Sequence, residues 1–98
     1  MEAARADEPD GLWVTALEQT AGRGRRGRQW SSQYGNLAAS FYLQLPPEVS
    51  EPGLLGFVAG VSLAGSIETL LAGEGSSAEI NLKWPNDVLA NGEKLVGI

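Results

Sequence analysis

The sequence predicts an α/β fold, a mixed sheet with at least one covering helix. Three patterns predict it. Short runs rich in β-branched and aromatic residues alternate with turn residues. One long run carries the 3-4 apolar spacing of a helix. An Asn-Gly pair sits between two short apolar runs, the strongest short-range hairpin signal.

The elements follow in chain order. Residues 12–18, Leu-Trp-Val-Thr-Ala-Leu-Glu, have the content of a strand. Residues 19–35 are polar and glycine-rich with no helical period, so a long loop is expected. A structureless loop of that length inside a compact domain is uncommon and tends to be functional. Residues 37–45 resume as a strand, and Pro46-Pro47 stops it. Residues 54–72 read as a helix with one buried face, built on Leu54, Phe57, Val58, Val61, Ala64, Ile67, Leu70 and Leu71. Gly56 and Gly60 form a small-residue stripe suited to close packing on a sheet. In the strand over 79–84, Ile80, Leu82 and Trp84 share one face while Asn81 and Lys83 share the other. Residues 88–90 and 94–98 flank Asn91-Gly92, which tolerates the positive φ of a type I′ turn. Because Ile98 falls inside this last strand, a truncated product or an excised piece of a longer chain is expected.

Ninety-eight residues make one domain at most. Apolar residues form 43% of the chain and charged residues 19%, a globular rather than a disordered balance. There is no cysteine and no histidine, which excludes disulfides, zinc fingers, thiol catalysis and every Ser-His-Asp or Cys-His arrangement. The acidic start lacks the character of a secretory signal. The uncharged apolar stretch over 52–67 contains Gly53, Gly56, Gly60 and Gly65 and falls short of the roughly 20 apolar residues of a spanning helix. No membrane association and a cytoplasmic location are therefore expected, with residues 1–11 a poorly ordered segment and 12–98 the folded part.

The net charge of −5 argues against a general nucleic-acid binder. The distribution says more: of seven basic residues, Arg23, Arg25, Arg26 and Arg28 fall in one short stretch without an acid. Four adjacent guanidinium groups repel one another, and a bound anion would offset that cost. A solvated basic loop is the plain alternative. The run Gly22-Arg23-Gly24-Arg25-Arg26-Gly27 is literally G-x-G-x-x-G, but no helix follows it. Both a dinucleotide fingerprint and a phosphate-binding P-loop are thereby set aside. Glycines let the backbone approach a ligand, and arginine forks match carboxylate and phosphate oxygens. Without an anion such a loop should be mobile; with one it should order.

The second cluster is Lys83-Trp84-Pro85-Asn86-Asp87. A lysine at the end of a strand has a fixed direction. Lys83 is either a point charge aimed at a carboxylate or phosphate, or a surface lysine beside a buried tryptophan.

The two clusters, together with Ser32, Gly35-Asn36-Leu37 and Lys94-Leu95-Val96-Gly97-Ile98, resemble biotin protein ligases over about residues 12–98. The resemblance implies a catalytic domain like that of class II aminoacyl-tRNA synthetases: an α+β fold with a mixed, largely antiparallel sheet flanked by helices, here incomplete. It implies activation of biotin by MgATP to biotinyl-5′-AMP, then transfer to a lysine of a biotin carboxyl carrier domain. ATP and biotin would be substrates, with magnesium carried by ATP. Carried over by position, Gln19 contacts the biotin ring, and Gly22, Arg23, Gly24 and Arg25 form the biotin and adenylate loop. Arg25 and Lys83 would be the catalytic residues. Arg25 retains the adenylate, and Lys83 holds the biotin carboxylate or the phosphate. Arg23, Arg25, Arg26, Arg28 and Trp30 would line the phosphate side, with Trp30 also anchoring the loop. Asn86 and Asp87 would be structural. Such chemistry needs positioning and charge cancellation rather than a protein base.

The family's Ser-Thr-Asn-type motif, glycine-rich strand, adenine-covering loop and small β-barrel have no counterpart in this sequence. The resemblance therefore implies the middle of a catalytic domain, unable to ligate efficiently alone, and allows a homodimer through the sheet. A repressor role is left open. Three rivals remain. A lipoate or octanoate ligase or transferase would be expected to bring a histidine. A Gly-Arg RNA-binding module would use Trp30 and Tyr34 for stacking, against the net acidity. A degraded piece of a ligase gene would keep the family and lose the function.

Overall fold

The computed structural model describes residues 9–98. Most of the expected poorly ordered segment 1–11 lies outside the described residues. Of the remainder, Asp10 accepts a 2.6 Å hydrogen bond from the Gln44 backbone N–H. The Gly11 N–H donates to the Tyr42 carbonyl at 3.1 Å. The described residues form two compact units, one up to Pro46 and one from Pro47 to Ile98.

In the first unit, β1 (Leu12–Ala16) pairs antiparallel with β2 (Ala38–Tyr42), from Leu12 opposite Tyr42 to Ala16 opposite Ala38. Trp13 stands opposite Phe41, and their rings stack with centroids 4.6 Å apart. Such cross-strand aromatic pairs hold the register of a short ribbon.

The second unit begins with a 3-10 turn, Pro52–Leu54, which leads into α1 (Leu55–Gly73). Three strands follow: β3 (Ile80–Lys83), β4 (Asp87–Ala90) and β5 (Glu93–Gly97). They form one antiparallel sheet in the order β3-β4-β5. The turn from β4 to β5 has φ of 50° at Asn91 and 82° at Gly92. Positive φ at both central residues is what a type I′ turn requires. Asn91 also ties the start of β3 to this turn. Its side-chain oxygen accepts from the Glu79 N–H, and its own N–H donates to the Glu79 carbonyl, both at 2.9 Å.

The fold is thus α+β with antiparallel pairing, as expected. The strands divide into two sheets, and no parallel pair occurs among the described residues. The elements run from one to three residues shorter than expected at most strand ends.

Helix α1 packs on β3 and β4 by a face that overlaps only in part the one its periodicity suggests: Ala64, Ile67 and Leu71 are shared. Leu54, Phe57, Val58, Val61 and Leu70 are exposed. The half-buried row is Gly56, Ala59, Ala64, Ile67 and Leu71, with Gly60 fully buried among them. Small residues win this face because they let the helix backbone approach the sheet. A β-carbon at Gly60 would meet Ile98 Cδ1 at 3.4 Å and Leu82 Cδ2 at 3.5 Å. Beneath it, Ile80 and Val88 are the buried hydrophobic side chains among the described residues. Pro52–Gly73 is long and apolar enough, by length and composition only, to cross a membrane. The uncharged stretch 52–67 is shorter because Glu68 interrupts it. Gly60 of this helix packs against the sheet, while most of the stretch is exposed.

Candidate functional site

The arginine loop is a closed structure built on its glycines. Arg23 and Gln29 form an isolated antiparallel bridge. The Gly24 N–H donates to the Arg28 carbonyl at 2.7 Å, and the Arg28 N–H donates to the Arg25 carbonyl at 3.4 Å. Between them lies a single 3-10 turn, Arg25–Gly27, in which Arg26 has φ 58° and ψ 33° and Gly27 has φ 73°. Positive φ at consecutive residues reverses the chain tightly, and an arginine there is strained by about 1 kcal/mol or more. The expected structureless loop is therefore corrected: backbone hydrogen bonds close residues 23–29. All four arginines are exposed. No helix follows, so a dinucleotide fingerprint is ruled out by structure as well.

The same loop gathers Gln19, Gly22 and Trp30. A β-carbon at Gly22 would lie 3.1 Å from Trp30 Cδ1 and 3.2 Å from the Gln19 side-chain oxygen. Gly22 is thus the place where the two side chains close on the backbone. The Gln19 N–H donates to Ser32 Oγ at 2.9 Å, fixing the point where the chain leaves β1. Ser32 belonged to the motif stretch without an assigned role. Its signal in the sequence was only a hydroxyl able to accept a backbone bond, here from 13 residues away.

Lys83 lies in the other compact unit, at the last position of β3. Strand alternation sets it opposite the Ile80 and Leu82 side that meets α1. Its cross-strand neighbour is Asp87. Asp87 accepts an ion pair from Lys94, Nζ to Oδ1 at 2.8 Å. Asn86 is held to the last residue: its Nδ2 donates to the Ile98 carbonyl at 2.9 Å, and the Ile98 N–H donates back at 2.7 Å. Both residues bind other parts of the sheet.

Trp84 keeps the side toward α1 that it was expected to share with Ile80 and Leu82, but it is not buried. β3 ends at Lys83, and the Trp84 ring is 76% exposed, 6.4 Å from the Phe57 centroid. The lysine therefore does not sit beside a buried tryptophan. A cavity of about 140 Å³ opens here among Phe57, Gly60, Val61, Leu82, Lys83 and Trp84. It is below the roughly 300–1,000 Å³ of a usual small-molecule site, and so too small for an acyl nucleotide.

Residues 4–98 match the biotin/lipoate A/B protein ligase family. The chain belongs to that family. Among relatives, it is 44% identical to the biotin–[acetyl-CoA-carboxylase] ligase of Paracoccus denitrificans over 88% of this chain and 35% of that protein. It is 41% identical to the ligase of the same name from Mycobacterium tuberculosis over 98% of this chain and 36% of that protein. It is 38% identical to the bifunctional ligase/repressor BirA of Bacillus subtilis over 99% of this chain and 29% of that protein. The chain thus spans about a third of the length of these relatives. No solved structure matches it. An α+β fold with antiparallel sheets and a covering helix agrees with membership of this ligase family.

Proposed function

We propose that this chain is the central part of the catalytic domain of a biotin–protein ligase. The reaction is ATP-dependent. A biotin carboxylate oxygen attacks the α-phosphorus of ATP, pyrophosphate leaves, and biotinyl-5′-AMP is formed. A lysine amine of a biotin carboxyl carrier domain then attacks the acyl carbon. AMP leaves, and the amine proton passes to solvent. The observation that carries the reading is the closed loop, which places Gln19 and Trp30 on Gly22 and exposes Arg23, Arg25, Arg26 and Arg28 beside them. The names of the relatives support it.

In this reading the arginine forks and Lys83 gather negative charge on carboxylate and phosphate, and Gln19 reads the ligand's ring. Arg25 and Lys83 do the work nearest the reacting atoms by cancelling charge that develops on phosphorus. Magnesium, in this reading, is carried by the triphosphate. The carrier protein is the partner, and the setting is the cytoplasm. A chain with about a third of its relatives' length supplies only part of the pocket, so it turns over little by itself.

Labelled biotin with MgATP tests this. The chain should retain biotin in preference to lipoate and release little pyrophosphate. Arg25→Ala and Lys83→Ala should each weaken retention roughly tenfold or more, the worth of a lost charge-assisted bond. Preference for lipoate, or salt-sensitive RNA binding with no biotin retained, would replace the reading. Brisk biotinyl-AMP synthesis would refute the partial-pocket element of it.

A further inference from the structure

We infer that Lys94 is a positioning residue for Lys83. By holding Asp87, it keeps that carboxylate from pairing with the Lys83 ammonium, whose charge stays available to an anionic ligand.

The inference starts from register. Lys83 and Asp87 are direct cross-strand partners at the mouth of the β3–β4 hairpin. Directly opposite residues have β-carbons about 4.5–5.5 Å apart, well within reach of an ion pair. Left alone, this pair would neutralise itself. Yet Asp87 is paired with Lys94 at 2.8 Å, and Lys83 has no ion pair among the described residues. The aspartate is only 24% exposed, so its position is the more confined of the two.

Lys94 reaches Asp87 because of an irregularity in β5. Val88 faces Val96, but the next residue, Leu89, faces Lys94, so Leu95 is passed over in the register. In regular alternation Lys94 would share the face of Val96 and Val88, the side toward α1. The extra residue turns Lys94 onto the face of Leu89, Asp87 and Lys83. Bulges re-aim side chains in this way and are common beside active sites. The charged groups on this face are then Lys83, Asp87, Lys94 and, at the start of β3, Glu79, which accepts from Asn81 Nδ2 at 2.9 Å; the anion directly opposite Lys83 is committed to Lys94, the cation that is not at the strand end.

The identity of the anion rests on the proposed function; the electrostatic arrangement does not. The chain has two lysines, so a sample labelled with 15N-lysine gives two side-chain ammonium signals. In Lys94→Ala only the Lys83 signal remains. It should shift as the ammonium pairs with Asp87, and should return to its original position in Lys94→Ala/Asp87→Asn. Biotin retention should fall roughly tenfold in Lys94→Ala, recover in the double variant, and persist in Lys94→Arg. A purely structural ion pair predicts the opposite pattern: an unmoved Lys83 signal, and no recovery when Asp87 is also changed. That pattern would overturn the inference while leaving the functional reading standing. Shift and recovery of the Lys83 signal in a chain that retains no biotin would uphold the inference and sink the functional reading.

Discussion

A β-carbon at Gly22 would lie 3.1 Å from Trp30 Cδ1 and 3.2 Å from the Gln19 side-chain oxygen, tighter than ordinary van der Waals contact. Gly22→Val should therefore force the tryptophan and the glutamine apart. Because the loop lies at the surface, the expected cost to global stability is small, about 1 kcal/mol or less. Biotin retention should be lost with near-unchanged urea unfolding, and retained binding would show that the close approach of Gln19 and Trp30 to Gly22 does not shape the site. The residue types of this loop were legible: glycines where the backbone closes, arginines where charge is presented. Its closure was not. The Arg23–Gln29 bridge and the positive φ of Arg26 arise from chain reversal over a few residues. Arginine carries no local preference that announces such a conformation.

At the scale of elements, the apolar spacing of α1 located a helix and matched its packed face only in part. Ala64, Ile67 and Leu71 were legible, but the first turns of the sheet side belong to Gly56, Ala59 and Gly60, whose small size permits close approach and which a count of large apolar residues passes over. Gly60→Ala places a methyl at ordinary contact distance from Ile98 and Leu82 and removes a helical glycine. It should be stabilising by up to about 1 kcal/mol. Gly60→Val adds branches that cannot fit and should destabilise by about 1–3 kcal/mol. Urea midpoints of the two variants test this: a valine tolerated as well as alanine would mean the helix does not rest on the sheet at Gly60. The Asn91-Gly92 turn, by contrast, was fully readable, because the φ it needs is a property of those two residues.

Across the whole molecule, few large apolar side chains are covered. Val88 is fully buried and Ile80 nearly so, whereas Trp13, Leu17, Tyr34, Leu37, Leu70 and Trp84 are 65% exposed or more. Exposed apolar surface on this scale favours association. The isolated chain should bind a hydrophobic dye and sediment as concentration-dependent oligomers; a monomer with a sharp, cooperative melt would contradict this. What the sequence determined by itself is what depends on residue type and spacing: the order of elements, the hairpin turn, the two cationic motifs and through them the ligase family. Tertiary structure decided which charges stand next to which. Asp87 is taken by Lys94 and not by Lys83 because one passed-over residue in β5 rotates Lys94 to the other face. Strand register across three segments sets that choice, and no local pattern in the chain encodes it.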